Sequence, residues 1–231
     1  MAEDGTLACR SVRYIGGIGN PGKQMNKANL TEIQEKLLDR YNQIGGCVDF
    51  VAFDIADGIE QAEIHRQAAV AALESIGARW KNYALLASAQ RNIPIEKFFV
   101  FKIDGEKAAS LVGKRISPAE FLGPRCDWET GTLRQADALA EGYAYAFCDP
   151  PYGLSDMQVP RRLETSEVSD LFESINRELL GGITSQSIIY QWPVDWSNYF
   201  DAGQEWWGSF LWTFANPGFG RLIVLAASST D

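Results

Sequence analysis

The residues best suited to chemistry lie in one short stretch, Tyr143–Leu154, which reads YAYAFCDPPYGL. Its aromatic and apolar first half leads directly into Asp149, two prolines and Tyr152. The apolar run predicts a buried strand, and the prolines end it because proline has no amide hydrogen for a sheet. In open α/β sheets, ligands bind beyond the carboxyl ends of the strands. The sequence therefore predicts a ligand site where this strand ends.

The D-P-P-Y sequence has the groups needed to hold an amine. Pro150 and Pro151 each fix a backbone φ angle, so that nearby carbonyl oxygens point in set directions. The Asp149 carboxylate and the Pro150 carbonyl can together accept both hydrogens of an exocyclic amine. The Tyr152 ring can stack on the planar group that carries the amine. Such a geometry would turn the nitrogen lone pair away from the loop and prepare a weak nucleophile.

Strand and helix signals alternate along the rest of the chain. This alternation predicts an α/β fold with a mainly parallel sheet, helices on both of its faces and a C-terminal antiparallel hairpin. Thr31 and Gln34 form a capping box at the start of the first helix. The other predicted elements are a strand at 47–55, helical sequence at 59–90 with a break near Gly77, a strand at 97–103, a helix at 106–114, a helix at 166–180, a strand at 187–192 and hairpin strands at 205–214 and 221–227.

D-P-P-Y after an apolar run resembles the catalytic motif of S-adenosylmethionine-dependent amino-methyltransferases, chiefly the N6-adenine methyltransferases of DNA and RNA. The form FCDPPYGL is also similar to the three-Cys-motif partner proteins, a methyltransferase-like family. The resemblance implies a Rossmann-like methyltransferase domain at 46–231, after an N-terminal extension with a loop and a helix at 1–45. It implies that Asp149–Tyr152 bind the amine and stack on a flipped base. The implied reaction is methyl transfer to an exocyclic amine, with adenine N6 in nucleic acid as the favoured target and no metal.

The resemblance also implies a binding site for S-adenosylmethionine. The family has a glycine-rich turn after its first strand, but this chain has Ala56 and Gly58 at that place. Because alanine allows less close backbone approach than glycine, a non-catalytic, methyltransferase-like binding or partner protein is the second hypothesis. Asp104 is the candidate for the cofactor's ribose hydroxyls and Asp137 for its adenine. The residues implied to contact the cofactor are Phe53, Asp54, Asp57, Gly58, Asp104 and Asp137.

Residues 17–24, GIGNPGKQ, supply a third hypothesis, a P-loop-like nucleotide binder. Their spacing is that of a phosphate loop, G-x4-G-K. A phosphate loop needs Ser or Thr after the lysine to hold magnesium, whereas Gln24 follows Lys23 here. The next helix is also predicted to start near Thr31 rather than at the lysine. An ordinary loop is therefore the favoured interpretation of this segment.

Composition restricts the partners and the location. The chain of 231 residues has a net charge of -9, which disfavours tight, unaided binding to nucleic acid. A nucleic-acid substrate would therefore call for a local basic patch or a basic partner protein. The four cysteines are widely spaced and there is a single histidine, so no metal site is predicted. No apolar run reaches the ~18 residues of a membrane span, and we expect a cytoplasmic protein.

Overall fold

The computed structural model describes residues 25–55, 59–95, 100–134, 141–156, 161–205 and 207–229. The strands in these ranges are β1 Met25–Lys27, β2 Val48–Ile55, β3 Lys114–Ile116, β4 Ser155–Asp156, β5 Arg161–Arg162, β6 Ile188–Gln191, β7 Ser209–Ala215 and β8 Arg221–Ser228. The α-helices are α1 Glu32–Gln43, α2 Ala62–Arg91, α3 Gly105–Ala109, α4 Pro118–Leu122, α5 Gly142–Cys148, α6 Thr165–Leu180 and α7 Asp201–Gln204. A 3-10 turn, Asn198–Phe200, precedes α7.

Six of these strands form one sheet in the order β1-β2-β8-β7-β6-β3. Each neighbouring pair in this sheet is antiparallel. The prediction of a Rossmann-like methyltransferase fold with a mainly parallel sheet is therefore wrong. The predicted C-terminal hairpin does form, since β7 and β8 pair from Ser209 opposite Ser228 to Ala215 opposite Leu222. β4 and β5 make a separate two-stranded ribbon.

The parallel prediction fails because two of its strands are not strands. Residues 142–148 form helix α5, although this run was expected to be a buried strand. Residues 100–102 have no regular structure, and Ile103 makes a single bridge to Ser197. The rest of that predicted strand, 97–99, lies outside the described residues. A parallel sheet needs a strand at each end of a crossover connection, and without these two strands the crossovers are lost.

Both faces of the sheet are buried. Ile223 and Leu225 of β8 belong to a hydrophobic cluster with α1, α4, α5 and α6, and we call this side the α5 face. Leu222 and Val224 belong to a second cluster with α2 and α3, on the side that we call the α2 face. Successive residues of a strand point to opposite sides, so β8 supplies both clusters. This burial explains the continuous apolar sequence of β8.

Helix α1 confirms the prediction of its start. Thr31 is its N-cap, and the Thr31 and Gln34 side chains make both hydrogen bonds of the capping box. Tyr41, in its last turn, stacks on Phe147 of α5 with a centroid distance of 4.2 Å. The helix therefore packs on the α5 face, and the division of the chain at residue 45 stays a prediction.

Helix α2 runs without interruption through Gly77, so the predicted break is wrong. A Cβ atom at Gly77 would lie 2.6 Å from the Phe101 ring, which shows that this glycine makes room for packing. The helix crosses the sheet. His65 contacts Thr213 of β7, whereas Ser75 accepts a hydrogen bond from Lys27 of the edge strand β1. Among the described residues, no helix has both the length and the apolar character needed to cross a bilayer.

His65 is fully buried under α2 in a fixed hydrogen-bond chain. Its Nε2 lies 2.8 Å from the Ile59 carbonyl oxygen, which can only accept, so Nε2 carries the proton. Its Nδ1 lies 2.8 Å from the Thr213 hydroxyl, and the Trp192 indole donates to the same hydroxyl oxygen at 2.9 Å. Burial lowers the pKa of His65 to about 4, and the positive charge of Arg115 acts in the same direction. The imidazole is therefore neutral in the folded protein at pH 7.

We expect folding stability to fall as the pH drops from about 6.5 towards 4. The unfolded chain takes up a proton on its single histidine near pH 6.5, whereas the folded chain does so only near pH 4. The loss between pH 7.5 and 5 is expected to be about 2 kcal/mol. Urea unfolding of the wild type and His65→Gln at both pH values measures it. An equal pH dependence in the two proteins would contradict this assignment.

Candidate functional site

The D-P-P-Y loop leaves the end of helix α5 rather than the end of a strand. Asp149 is the C-cap of α5, and its amide donates to the Tyr145 carbonyl oxygen at 2.9 Å. A tight turn follows, in which the Gly153 amide donates to the Pro150 carbonyl oxygen at 2.8 Å. Pro150 is buried, whereas 66% of the Tyr152 surface is exposed. The loop thus places a proline in the core and an aromatic ring at the surface.

Asp149 is held by two side chains from distant parts of the chain. The Arg125 Nε donates to Asp149 Oδ2 at 2.7 Å, and the Trp207 indole donates to the Asp149 main-chain oxygen at 2.7 Å. The Asp149 side chain is 24% exposed. No described residue makes a hydrogen bond to its other oxygen, Oδ1. The carboxylate is therefore fixed in place with one acceptor oxygen left over.

The predicted amine acceptors are thus partly in use within the protein. Asp149 Oδ2 accepts from Arg125, and the Pro150 carbonyl accepts from Gly153. Asp149 Oδ1 and the second lone pair of the Pro150 carbonyl are the acceptors that remain. The roles assigned to Asp149, Pro150, Pro151 and Tyr152 stay predictions.

An aromatic network supports the loop on the α5 face. Trp207 stacks on Tyr145 at a centroid distance of 5.9 Å, and Phe210 stacks on Trp212 at 5.1 Å. Phe210 joins the two pairs through edge contacts with Tyr145 and Trp207. Burial, followed by the Asp149 charge, raises the pKa of the Tyr145 phenol. The network is therefore uncharged, and it contacts Asp149 through the Trp207 indole.

A cleft of about 960 Å³ opens beside this network. Phe210 and Trp212 belong to both the network and the cleft lining, and Trp128 adds a third aromatic side chain. Pro124 and Cys126 also line the cleft, on either side of Arg125 in the sequence. Arg125 and Asp149 are not themselves among the lining residues.

The cleft has four carboxylates but two cations. Both cations are paired, Lys114 with Glu120 at 3.1 Å and Arg134 with Asp127 at 2.6 Å. The Glu129 and Glu141 side chains have no partner among the described residues, which leaves two negative charges uncompensated. A ligand that brings both a planar surface and positive charge would match this lining.

The pKa values of the two paired carboxyls agree with this charge pattern. The Ser117 amide, followed by Lys114, lowers the pKa of Glu120 to about 2. The Arg134 guanidinium lowers the pKa of Asp127 to about 2. Both groups are therefore ionised at neutral pH and neutralise the two cations of the cleft.

The described residues among the predicted cofactor contacts do not line this cleft. Phe53 is buried in the cluster of the α2 face, and Asp54 accepts a hydrogen bond from Arg221 across the strand pair at 3.3 Å. Asp104 caps α3, where its carboxylate accepts from the amides of residues 106 and 107. Asp57, Gly58 and Asp137 lie outside the described residues.

The sheet separates Phe53 and Asp104 from the D-P-P-Y loop. Helix α3, which Asp104 caps, packs through Ala108 into the same α2-face cluster as Phe53. Phe147 and Cys148, at the end of the helix that precedes Asp149, belong to the cluster of the α5 face. The structure therefore does not bring these two predicted cofactor residues together with the predicted amine-binding loop.

Sequence reasoning missed Arg125, Trp128 and Trp207. Arg125 and Trp128 fall in 117–130, which has a loop composition, and helix α4 was missed there as well. In that segment Arg125 stands between a proline and a cysteine, and no sequence spacing relates it to Asp149. Trp207 was assigned to the start of a hairpin strand, but β7 begins two residues later, at Ser209.

Comparison of the chain with protein-family models, with curated proteins and with solved structures returns no match. The resemblance to amino-methyltransferases therefore stays a prediction that rests on the residues themselves. In the described part of the chain, no three His, Cys, Asp or Glu side chains group closely enough to hold a metal ion.

Trp207→Phe is expected to loosen the D-P-P-Y loop. The change removes the donor to the Asp149 carbonyl but keeps an aromatic ring beside Tyr145, so the cost should be about 1 kcal/mol. Amide hydrogen exchange at Asp149 and Gly153 should become faster. Trp196→Phe is the matched control, because it removes an indole bond of 2.8 Å to the Pro193 carbonyl on the α2 face. Unchanged exchange in Trp207→Phe, or equally fast exchange in both variants, would refute the role of Trp207.

Proposed function

We propose that the protein binds a planar ligand that carries an amine or a positive charge, in the cleft lined by Trp128, Phe210 and Trp212. The observation that carries this proposal is the uncompensated pair Glu129 and Glu141 among three aromatic side chains. Aromatic rings favour a planar group, and the two carboxylates favour positive charge. The volume of about 960 Å³ is in the range of small-molecule sites.

S-adenosylmethionine is the first candidate ligand. It has an adenine ring, an ammonium group and a sulfonium charge, so it belongs to the class that the cleft favours. The candidate comes from the resemblance of the D-P-P-Y sequence, and the chemistry of the cleft supports it independently. The site proposed here is on the α5 face, unlike the one implied by Phe53 and Asp104.

Isothermal titration calorimetry with three ligands tests this proposal. We expect S-adenosylmethionine to bind more tightly than S-adenosylhomocysteine, which lacks the sulfonium charge. ATP, which is strongly anionic, should not bind, and its binding would instead favour the phosphate-loop hypothesis for residues 17–24. Absence of heat with S-adenosylmethionine at millimolar concentration would refute it as the ligand.

The double variant Glu129→Gln/Glu141→Gln tests the role of the carboxylates. We expect it to bind S-adenosylmethionine about fivefold more weakly, because exposed charge pairs contribute less than about 1 kcal/mol each. The double variant Glu74→Gln/Glu173→Gln is the control, because it removes the same charge from exposed positions on α2 and α6. Equal losses in both variants would show a general effect of net charge rather than a local one.

Methyl transfer to an exocyclic amine is the second candidate function. The observation that favours it is the exposed Tyr152 ring three residues after the partly exposed Asp149 carboxylate. Adenine in nucleic acid is the proposed target. Because the chain has a net charge of -9, a basic partner protein is part of this proposal. A cytoplasmic location also belongs to it, since such substrates and free thiols occur there.

Transfer of a radiolabelled methyl group from S-adenosylmethionine to an adenine-containing oligonucleotide tests the second candidate. Asp149→Ala should abolish transfer and leave the affinity for S-adenosylmethionine nearly unchanged, because the carboxylate is proposed to hold the amine rather than the cofactor. Equal losses of transfer and affinity would refute this division of roles. If the wild type binds S-adenosylmethionine but transfers no methyl group, the binding function is the one that remains.

A further inference from the structure

Strand β3 ends the six-stranded sheet and has an open edge beside the cleft. It is last in the strand order, and its partner among the described strands is β6. Lys114 of β3 lies opposite Gln191 of β6, and both residues line the cleft. Val112, two residues before β3, is 81% exposed, so an apolar side chain also lies near this edge. An edge strand offers main-chain donors and acceptors to another extended chain.

The neighbouring strands set the direction of the main-chain groups in β3. The Trp192 amide donates to the Leu211 carbonyl oxygen at 2.9 Å, so the main chain of Trp192 faces β7. These groups alternate in direction along a strand, so the main chain of Gln191 faces β3 and its partner Lys114. The next residue of β3, Arg115, then points its N–H and C=O away from β6. No described residue makes a main-chain hydrogen bond to Arg115 on this open side.

The side chains of β3 alternate between the two faces of the sheet. Ile116 belongs to the cluster on the α5 face, and Lys114 lines the cleft on the same side. Arg115 points to the opposite face, where its guanidinium lies 3.8 Å from Glu60, just before α2. In a strand added antiparallel to β3, the residue opposite Arg115 would share its face of the sheet. The two residues next to that one would direct their side chains to the side of the cleft.

The charges at this edge favour a cationic side chain in the cleft. Both cations of β3 are paired with carboxylates, so the edge itself has no uncompensated positive charge. Glu129 and Glu141 are the uncompensated charges of the cleft. A guanidinium is planar, stacks on aromatic rings and binds carboxylates through two hydrogen bonds. An arginine side chain therefore combines the properties that the cleft favours, and the net charge of -9 attracts a basic chain.

We infer that the planar cation is an arginine side chain in an extended segment of a partner protein, and that this segment adds to β3 as an antiparallel strand. This inference rests on the proposed function and names the partner of that site. The residue next to the arginine exchanges two main-chain hydrogen bonds with Arg115, while the arginine side chain enters the cleft. The added strand is antiparallel because every neighbouring pair in the sheet is antiparallel.

Calorimetry with the peptide Thr-Val-Arg-Val-Thr, acetylated and amidated at its ends, tests the role of the arginine. Citrulline in place of arginine keeps the planar shape without the charge, and we expect about tenfold weaker binding. Glu129→Gln/Glu141→Gln should bind the two peptides equally, whereas the control Glu74→Gln/Glu173→Gln should keep the difference. Equal binding of the two peptides by the wild type would overturn the inference.

Methylation of the peptide amides tests the strand addition. Methyl groups on both valine amides should weaken binding about tenfold, because these amides point towards β3. The same number of methyl groups, on the amides of the arginine and the last threonine, should be tolerated, since these amides point away from β3. Any other order of the two methylated peptides would overturn the antiparallel strand.

Arg115→Pro tests the same contact from the side of the protein. The change removes the outward N–H at a position where an edge strand tolerates proline, and we expect the arginine peptide to bind about fivefold more weakly. Arg115→Gln keeps this N–H and loses the charge, so it is the control and should bind at least as tightly as the wild type. Equal affinities of the two folded variants would contradict the contact. If Arg115→Pro does not fold, the methylated peptides decide.

Two further ligands separate this inference from the proposed function. If S-adenosylmethionine binds and the arginine peptide does not, the peptide inference alone fails. The same holds if acetyl-arginine amide, which has no neighbouring residues, binds as tightly as the peptide, because the edge then contributes nothing. If S-adenosylmethionine, acetyl-arginine amide and the peptide all fail to bind, the proposed function fails as well.

Discussion

The structure depends on the burial of both faces of its central strands. β2 and β8 pair over seven residues and supply apolar side chains to the clusters on both sides of the sheet. A strand buried on both sides must be covered by two layers, so helices are needed on each face. α2 covers one face together with the short helix α3 and the 3-10 turn, whereas α1, α4, α5 and α6 share the other. The shared face has several element ends close together, and the cleft lies among them.

The position of the candidate site follows from this unequal covering. The α5 face is covered by four shorter helices, and the residues that follow α4 and α5 contact one another. The D-P-P-Y loop follows α5, and Arg125 follows α4, so that the pair joins the ends of two neighbouring helices. Loops placed by a rigid scaffold are where binding residues concentrate. The α5 face thus combines the aromatic core with the polar groups that a ligand would meet.

The elements with a strong local signal were predictable from the sequence. The capping box predicts the start of α1, and the predicted helix at 166–180 and the C-terminal hairpin are both present. The structure of the run Tyr143–Cys148 was not predictable, because its sequence fits both the two-residue period of a strand and the 3.6-residue period of a helix. Tyr143, Tyr145 and Phe147 alternate as in a strand, and Tyr143 and Phe147 are also four apart as in a helix. Tertiary contacts favour the helix, because Phe147 stacks on Tyr41 and Tyr143 stacks on Phe121.

The residues of the candidate site also differ in whether they can be predicted from the sequence. Asp149 and Tyr152 stand out in the sequence because of the prolines between them, but Arg125 and Trp207 become visible only through the fold. They lie 24 and 58 residues from Asp149 in the chain, and no local pattern joins residues at such separations. Strand direction is equally non-local, since β2 pairs not only with its neighbour β1 but also with β8, more than 160 residues away in the chain.

The crossing of α2 gives the molecule an uneven distribution of charge. After Ser75 meets the edge strand and Arg79 binds Asp49, the helix continues for another twelve residues, or about 18 Å at the usual rise. Those residues include Lys81 and Arg91 and no carboxylate, in a chain of net charge -9. This end of α2 is therefore locally positive in a chain of net negative charge. A negatively charged surface or partner would attract it, so that this helix contributes to the orientation of the molecule on approach.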